Sequence, residues 1–190
     1  TMSGGSISEN TAYGSGGGVY VYSGAFNMSG DASISGNTAT DGGGVYVQRG
    51  MFDMSGGSIS KNTASSGVGV FVTSQGRLWL SGAPVIDGDI RLGGYPIVIK
   101  GPLSNTEPFQ LTNVNGTFTS GWKDKMGDAD PAEFFTVSEI GYSFELVGGG
   151  EVYARYPGIF TVTLNTDGGT IISGNVTSYT YDVGAVLPTD

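Results

Sequence analysis

The sequence predicts an all-β chain wound as a right-handed parallel β-helix, with three short strands in each coil of about 26 residues. Three observations predict it. Thr1–Val21 carries MSGGSISENTA then GGGVYV, Met28–Val47 carries MSGDASISGNTA then GGGVYV, and Met54–Val72 carries MSGGSISKNTA then GVGVFV. The methionine that opens each repeat stands at 2, 28 and 54, a step of 26, and Leu80 falls one step further. Gly, 35 of 190 residues, clusters beside short β-branched runs with no Gly-X-Y period, which marks turns between strands and excludes collagen.

Each repeat holds three strand candidates. Phe26-Asn27-Met28 is echoed by Phe52-Asp53-Met54 and Leu78-Trp79-Leu80. Ser33-Ile34-Ser35 is echoed by Ser6-Ile7-Ser8 and Ser58-Ile59-Ser60, and Val19-Tyr20-Val21 by Val45-Tyr46-Val47 and Val70-Phe71-Val72. Side chains on a strand alternate between faces, so Phe26 and Met28 share one face, and the paired valines share another. Stacked coils bring like residues to the strand spacing of about 4.8 Å. The predicted interior rows are Phe26/Phe52/Leu78, Met2/Met28/Met54/Leu80, Ile7/Ile34/Ile59 and the Val pairs, with Val85 continuing the Ile row. An extra residue at Asp31-Ala32 makes the Ile spacing 27 and then 25, which a loop absorbs. Asn10, Asn37 and Asn62 follow each Ile by three residues; Asn suits left-handed turn backbone, and its amide stacks on its own copy.

Beyond Leu80 the repeat decays, but strand signals persist at Asp89–Leu92, Pro96–Lys100, Phe109–Thr112, Gly116–Ser120, Phe134–Ser138, Tyr142–Val147 and Glu151–Tyr156. The reading is a β-helix over 1–157, with regular repeats over 1–92 that decay from 81 and irregular closing coils over 93–157 that cover the open end of the core. Trp122–Glu133 reads as a charged loop with one helical turn at most. Residues 158–190 read as a partial β-grasp-like repeat, a C-terminal β-hairpin module turning at Asp167-Gly168.

FNMSGDASISGNTATDGGGVYV resembles the glycine-rich parallel β-helix repeats of large bacterial surface proteins and adhesins, over roughly residues 1–92. FTVTLNTDGGTIISGNVTSYTYDVGAVLPTD is similar to the opening of a Listeria–Bacteroides repeat. Both resemblances imply an exported, extracellular or wall-associated protein of several domains, and neither carries catalytic residues onto this chain. The chain opens inside a repeat unit, so it is expected to be an excerpt of a longer protein continuous with further domains.

Composition narrows the function classes. Eight basic against 17 acidic residues give a net charge of −9, which repels phosphate backbones and anionic lipid. Nucleic acid and membrane insertion are therefore not expected as partners of this segment. Absent Cys removes thiolate metal sites and Cys nucleophiles, and absent His removes the commonest acid–base group.

Three readings compete. The first is a non-catalytic adhesion or stalk module that meets a host or microbial glycan or a surface protein and uses no cofactor. The second is a carbohydrate-binding module in which Tyr20, Tyr46 and Phe71 form an outer row, with Tyr22 beside it and Trp79 on another face, because flat rings suit pyranose faces. The third is a fragment of a polysaccharide lyase or glycosidase, for which paired carboxylates suffice. Asp87 and Asp89 flank Gly88 where a turn is expected and are also the weak candidates for a calcium ligand pair; Asp128 and Asp130 are similar.

Overall fold

The computed structural model describes residues 1–114, 116–138 and 142–155, with the backbone of 159–161 and 178–180. It is a parallel β-helix whose three faces are parallel sheets. The Ile sheet stacks Ser6–Ser8, Ser33–Ser35, Ser58–Ser60 and Val85–Ile86. The Val sheet stacks Val19–Val21, Val45–Val47, Val70–Val72, Ile90–Leu92, Phe109–Thr112 and Phe135–Val137. The Met sheet stacks Ala25–Met28, Met51–Met54, Arg77–Gly82, Ile97–Leu103 and Thr119–Ser120.

The register follows the repeat. Ile7, Ile34 and Ile59 pair in sequence, as do Phe26, Phe52 and Leu78, and Met28, Met54 and Leu80. Ile34, Ile59, Val45, Val47, Phe52, Met54 and Val70 are fully buried, so each coil hides its apolar face against its neighbours. One row departs from expectation. Ile86, not Val85, pairs with Ile59, while Val85 pairs with Ser58 and remains 46% exposed. The strand period of two decides this, because a shift of one residue exchanges inside for outside.

Glycine at Gly44 is a packing requirement. A Cβ there would lie 2.5 Å from the Gly69 carbonyl oxygen and 2.6 Å from Ile59 Cγ2. Gly18 meets Gly44 and Ile34 in the same way, which accounts for the Gly immediately before each Val strand.

The closing region is more regular than expected on two faces and more elaborate at its end. The Val and Met sheets run on through residues 90–137, whereas the Ile sheet stops at Val85–Ile86. The segment 122–133 holds the helical turn allowed for it, as helix α1, Trp122–Met126, and adds a 3-10 turn, Pro131–Glu133. Trp122 is wholly buried, ringed by Phe134 and Phe135 at 5.7 and 5.6 Å between centroids. Phe118 meets Phe135 edge-on at 5.1 Å and Phe144 at 5.5 Å. An antiparallel sheet of Gly116–Thr117, Glu151–Arg155 and Ser143–Val147 lies over this aromatic plug. Ile159–Thr161 and Ser178–Thr180 pair antiparallel, and the predicted Asp167-Gly168 turn lies outside the described residues.

Candidate functional site

The outer aromatic row is a ladder along the solenoid axis. The Val strands pair in register, so the residue between each Val pair lies above its copy. Tyr20 stacks on Tyr46 with centroids 5.2 Å apart and planes 12° apart, and Tyr46 stacks on Phe71 at 5.1 Å and 24°. These separations match the strand spacing of about 4.8 Å, so the rings ride on the backbone ladder. Arg91, the next residue in register, sets its guanidinium 5.5 Å from the Phe71 centroid. Tyr46 thus has a ring on both faces, and Phe71 has a ring on one face and a cation on the other.

The flanking aromatics follow the same rule. Tyr22 is 55% exposed, with the Arg49 guanidinium 5.7 Å from its centroid and its hydroxyl accepting from Arg49 Nη1 at 3.3 Å. Arg49 Nε also donates to Gln75 Oε1 at 2.9 Å, and the Tyr20 hydroxyl donates to Gln48 Oε1 at 2.5 Å. Trp79 lies on the Met sheet, between Asp53 and Val98. Lys100 Nζ approaches its ring to 4.9 Å while bonding Asp53 Oδ2 at 2.7 Å. Tyr20, Tyr46 and Phe71 therefore come together, Tyr22 joins a neighbouring polar chain, and Trp79 stands apart. A pyranose stacks on an open ring face, and the interior rings of this ladder present edges.

The Asn row is a second ladder, turned inward. Asn37 Oδ1 accepts from the Asn10 amide at 3.0 Å and from Asn10 Nδ2 at 2.9 Å. Asn62 Oδ1 accepts the corresponding pair from Asn37 at 2.9 and 3.1 Å. Asn37 Nδ2 donates to the Ile7 carbonyl at 3.0 Å, and Asn62 Nδ2 to the Ile34 carbonyl at 3.1 Å. Asn37 is completely buried, and its amide groups are occupied in holding one coil to the next. The left-handed residue expected at Asn is instead the one before it: Glu9, Gly36 and Lys61 have φ of 58°, 67° and 55°. That turn aims the following Asn into the corner.

Each acidic candidate has a structural task or an open surface position. Gly42, Gly43 and Gly44 donate their amides to the backbone carbonyls of Ser66, Gly67 and Val68 in the next coil. One coil on, the corresponding corner is missing, since Ile86 leads to Ile90 through three residues. Asp89 replaces it. Its carboxylate accepts from the Gly67 amide at 3.3 Å, the Val68 amide at 2.6 Å and Thr112 Oγ1 at 2.7 Å, while its carbonyl accepts from Gly69 at 3.1 Å. Asp87 is exposed. Asp130 accepts from the Ala132 amide at 2.9 Å and caps the 3-10 turn. Asp128 pairs with Lys123, whose hydrogen bond and charge hold the Asp128 carboxyl below its ordinary pKa. Among the described residues, no three acidic side chains gather closely enough to hold a metal ion.

Several contributors were missed in the sequence. Arg91 could have been found by extending the Val-sheet register one rung past Phe71. Lys100 and Asp53 meet only through the Met sheet, 47 residues apart in sequence. Compared with known protein families, curated proteins and solved structures, the chain shows no match.

Proposed function

We propose that this chain is a non-catalytic, rigid module of an exported bacterial cell-surface or secreted protein, acting as a stalk in adhesion. The carrying observation is that its conspicuous side chains pair with their own copies along the axis. Tyr46 is sandwiched between Tyr20 and Phe71, and Asn37 between Asn10 and Asn62. Such ladders stiffen a rod and leave few open faces for a ligand. The resemblance of residues 1–92 to adhesin repeats supports the location and the role.

A carbohydrate-binding module is the second reading. It is favoured by the end of the ladder, where Tyr20 is 46% and Tyr22 55% exposed and one face of the Tyr20 ring has no stacked partner among the described residues. A glycan array probed with the parent chain and with a Tyr20→Ala/Tyr46→Ala/Phe71→Ala variant separates the two. The stalk reading expects no saturable binding by either protein. Saturable binding by the parent that the triple variant loses would replace it with the carbohydrate reading.

A further inference from the structure

The Ile sheet has four strands where the Val sheet has six and the Met sheet five. The difference arises after Ile97–Leu103, where the chain crosses to Phe109–Thr112 through residues 104–108 without laying an Ile-sheet strand. Val85–Ile86 is therefore an edge. Its Val85 and Asp87 amides donate to the Gly57 and Ile59 carbonyls at 3.0 and 2.8 Å. Alternate residues of a parallel strand bond to opposite sides, so the N–H and C=O of Ile86 point away from the sheet.

They point toward a groove of about 340 Å³, within the size range of roughly 300–1,000 Å³ usual for ligand clefts. Val85, Ile86 and Asp87 form one wall, and Thr106, Glu107 and Gln110 form the other. No hydrogen bond crosses between 84–88 and 104–108. Asp87 and Glu107 are the charged groups of the lining, and no Lys or Arg is among its described residues.

We propose that this groove takes an extended peptide segment with basic side chains, which adds to the Ile86 edge as the strand the coil omits. Main-chain pairing supplies the attachment, and the two carboxylates select the sign of charge. A second copy of this chain, at net charge −9, would bring like charge to the same edge. The open edge is short, bounded by buried Pro84, which has no amide hydrogen, and by Gly88 at φ 105°. Recognition is thus confined to a few residues and depends strongly on charge.

The test is an NMR titration of the isotope-labelled chain with acetyl-Val-Lys-Val-Lys-Val-amide. The expected result is saturable amide shifts concentrated at 85–88 and 106–107, with slowed hydrogen exchange at Ile86. Backbone N-methylation of the probe should abolish binding, and the Asp87→Asn/Glu107→Gln variant should weaken it about tenfold. Equal binding of a Glu-for-Lys probe, shifts scattered over the acidic surface, or indifference to N-methylation would overturn the proposal. The methylated probe is tested on the parent chain, so the outcome stands even if the double variant misfolds.

Discussion

The regular coils and the closing region have similar strands but different ways of holding them. In the coils, a side chain meets its own copy: Ile34 lies between Ile7 and Ile59, Asn37 between Asn10 and Asn62, Tyr46 between Tyr20 and Phe71. In the closing region Phe109 still lies in register with Phe135, but the contacts that seal the end have no copies. Trp122 packs on two phenylalanines, and Glu151 reaches from the last described strand of the core to accept from the Gly121 and Trp122 amides at 2.7 and 3.1 Å. Helix α1 has no capping side chain of its own at Gly121, so this carboxylate serves as its cap. Repetition distributes stability over many equal contacts, whereas termination concentrates it in a few unequal ones. Single substitutions should therefore have larger effects at the end than along the coils.

The largest effect is expected at Trp122. Trp122→Ala empties the centre of the aromatic plug and should cost about 3–5 kcal/mol, read by urea unfolding. Its indole Nε1 is buried without a hydrogen-bond partner among the described residues. Trp122→Phe removes that orphan donor with less volume, so its cost should be well under half that of the alanine variant. Equal losses from both substitutions would show that the plug depends on the indole itself rather than on filled volume.

That plug also shows where reading the sequence stops. The period of 26 places Phe26, Phe52 and Leu78 in one row because each strand position has an identical environment one coil away. Trp122 has no copy, and the charges and the proline after it are the ordinary marks of a loop. Glu151 and Asp89 are harder still. Each supplies acceptors that backbone provides elsewhere, Asp89 in place of the corner carbonyls and Glu151 at a helix start 30 residues away in sequence. A turn aspartate was legible at Asp89; the absent corner it replaces was not. The aromatic row was legible as a row, but its mutual stacking depends on rotamers that the pattern does not encode.

The next effect tests repetition directly. Asn37→Ala removes a buried amide with bonds to the coils on both sides and should cost about 2–3 kcal/mol. Asn10→Ala, the same change at an exposed rung, should cost under about 1 kcal/mol. Asp89→Ala should resemble Asn37→Ala at about 2–3 kcal/mol, because it leaves two backbone amides and the Thr112 hydroxyl without their acceptor. Asp89→Asn keeps one acceptor oxygen and should recover part of the loss. Thermal or urea unfolding of the four variants checks the order. Equal costs at Asn10 and Asn37 would mean that the amide ladder adds little beyond the backbone pairing beneath it.

A smaller effect than at Asn37 or Asp89 belongs to the outer rings. Tyr46 has stacked partners on both faces, whereas Tyr20 has one ring partner and a Gln48 hydrogen bond. A stacked aromatic pair contributes about 0.5–1.5 kcal/mol beyond the area it buries. Tyr46→Ala should therefore destabilise the chain by about 1–2 kcal/mol, and Tyr20→Ala by about half as much. Conservative Tyr46→Phe should be nearly silent, since ring stacking is retained and, among the described residues, the Tyr46 hydroxyl makes no hydrogen bond to the ladder. This comparison also bears on function. A row maintained for stacking is weakened most at its middle, and a row maintained for sugar binding is weakened most where a ring face is open, at Tyr20. Unfolding measurements on the single variants, set beside their glycan binding, decide which end of the ladder matters.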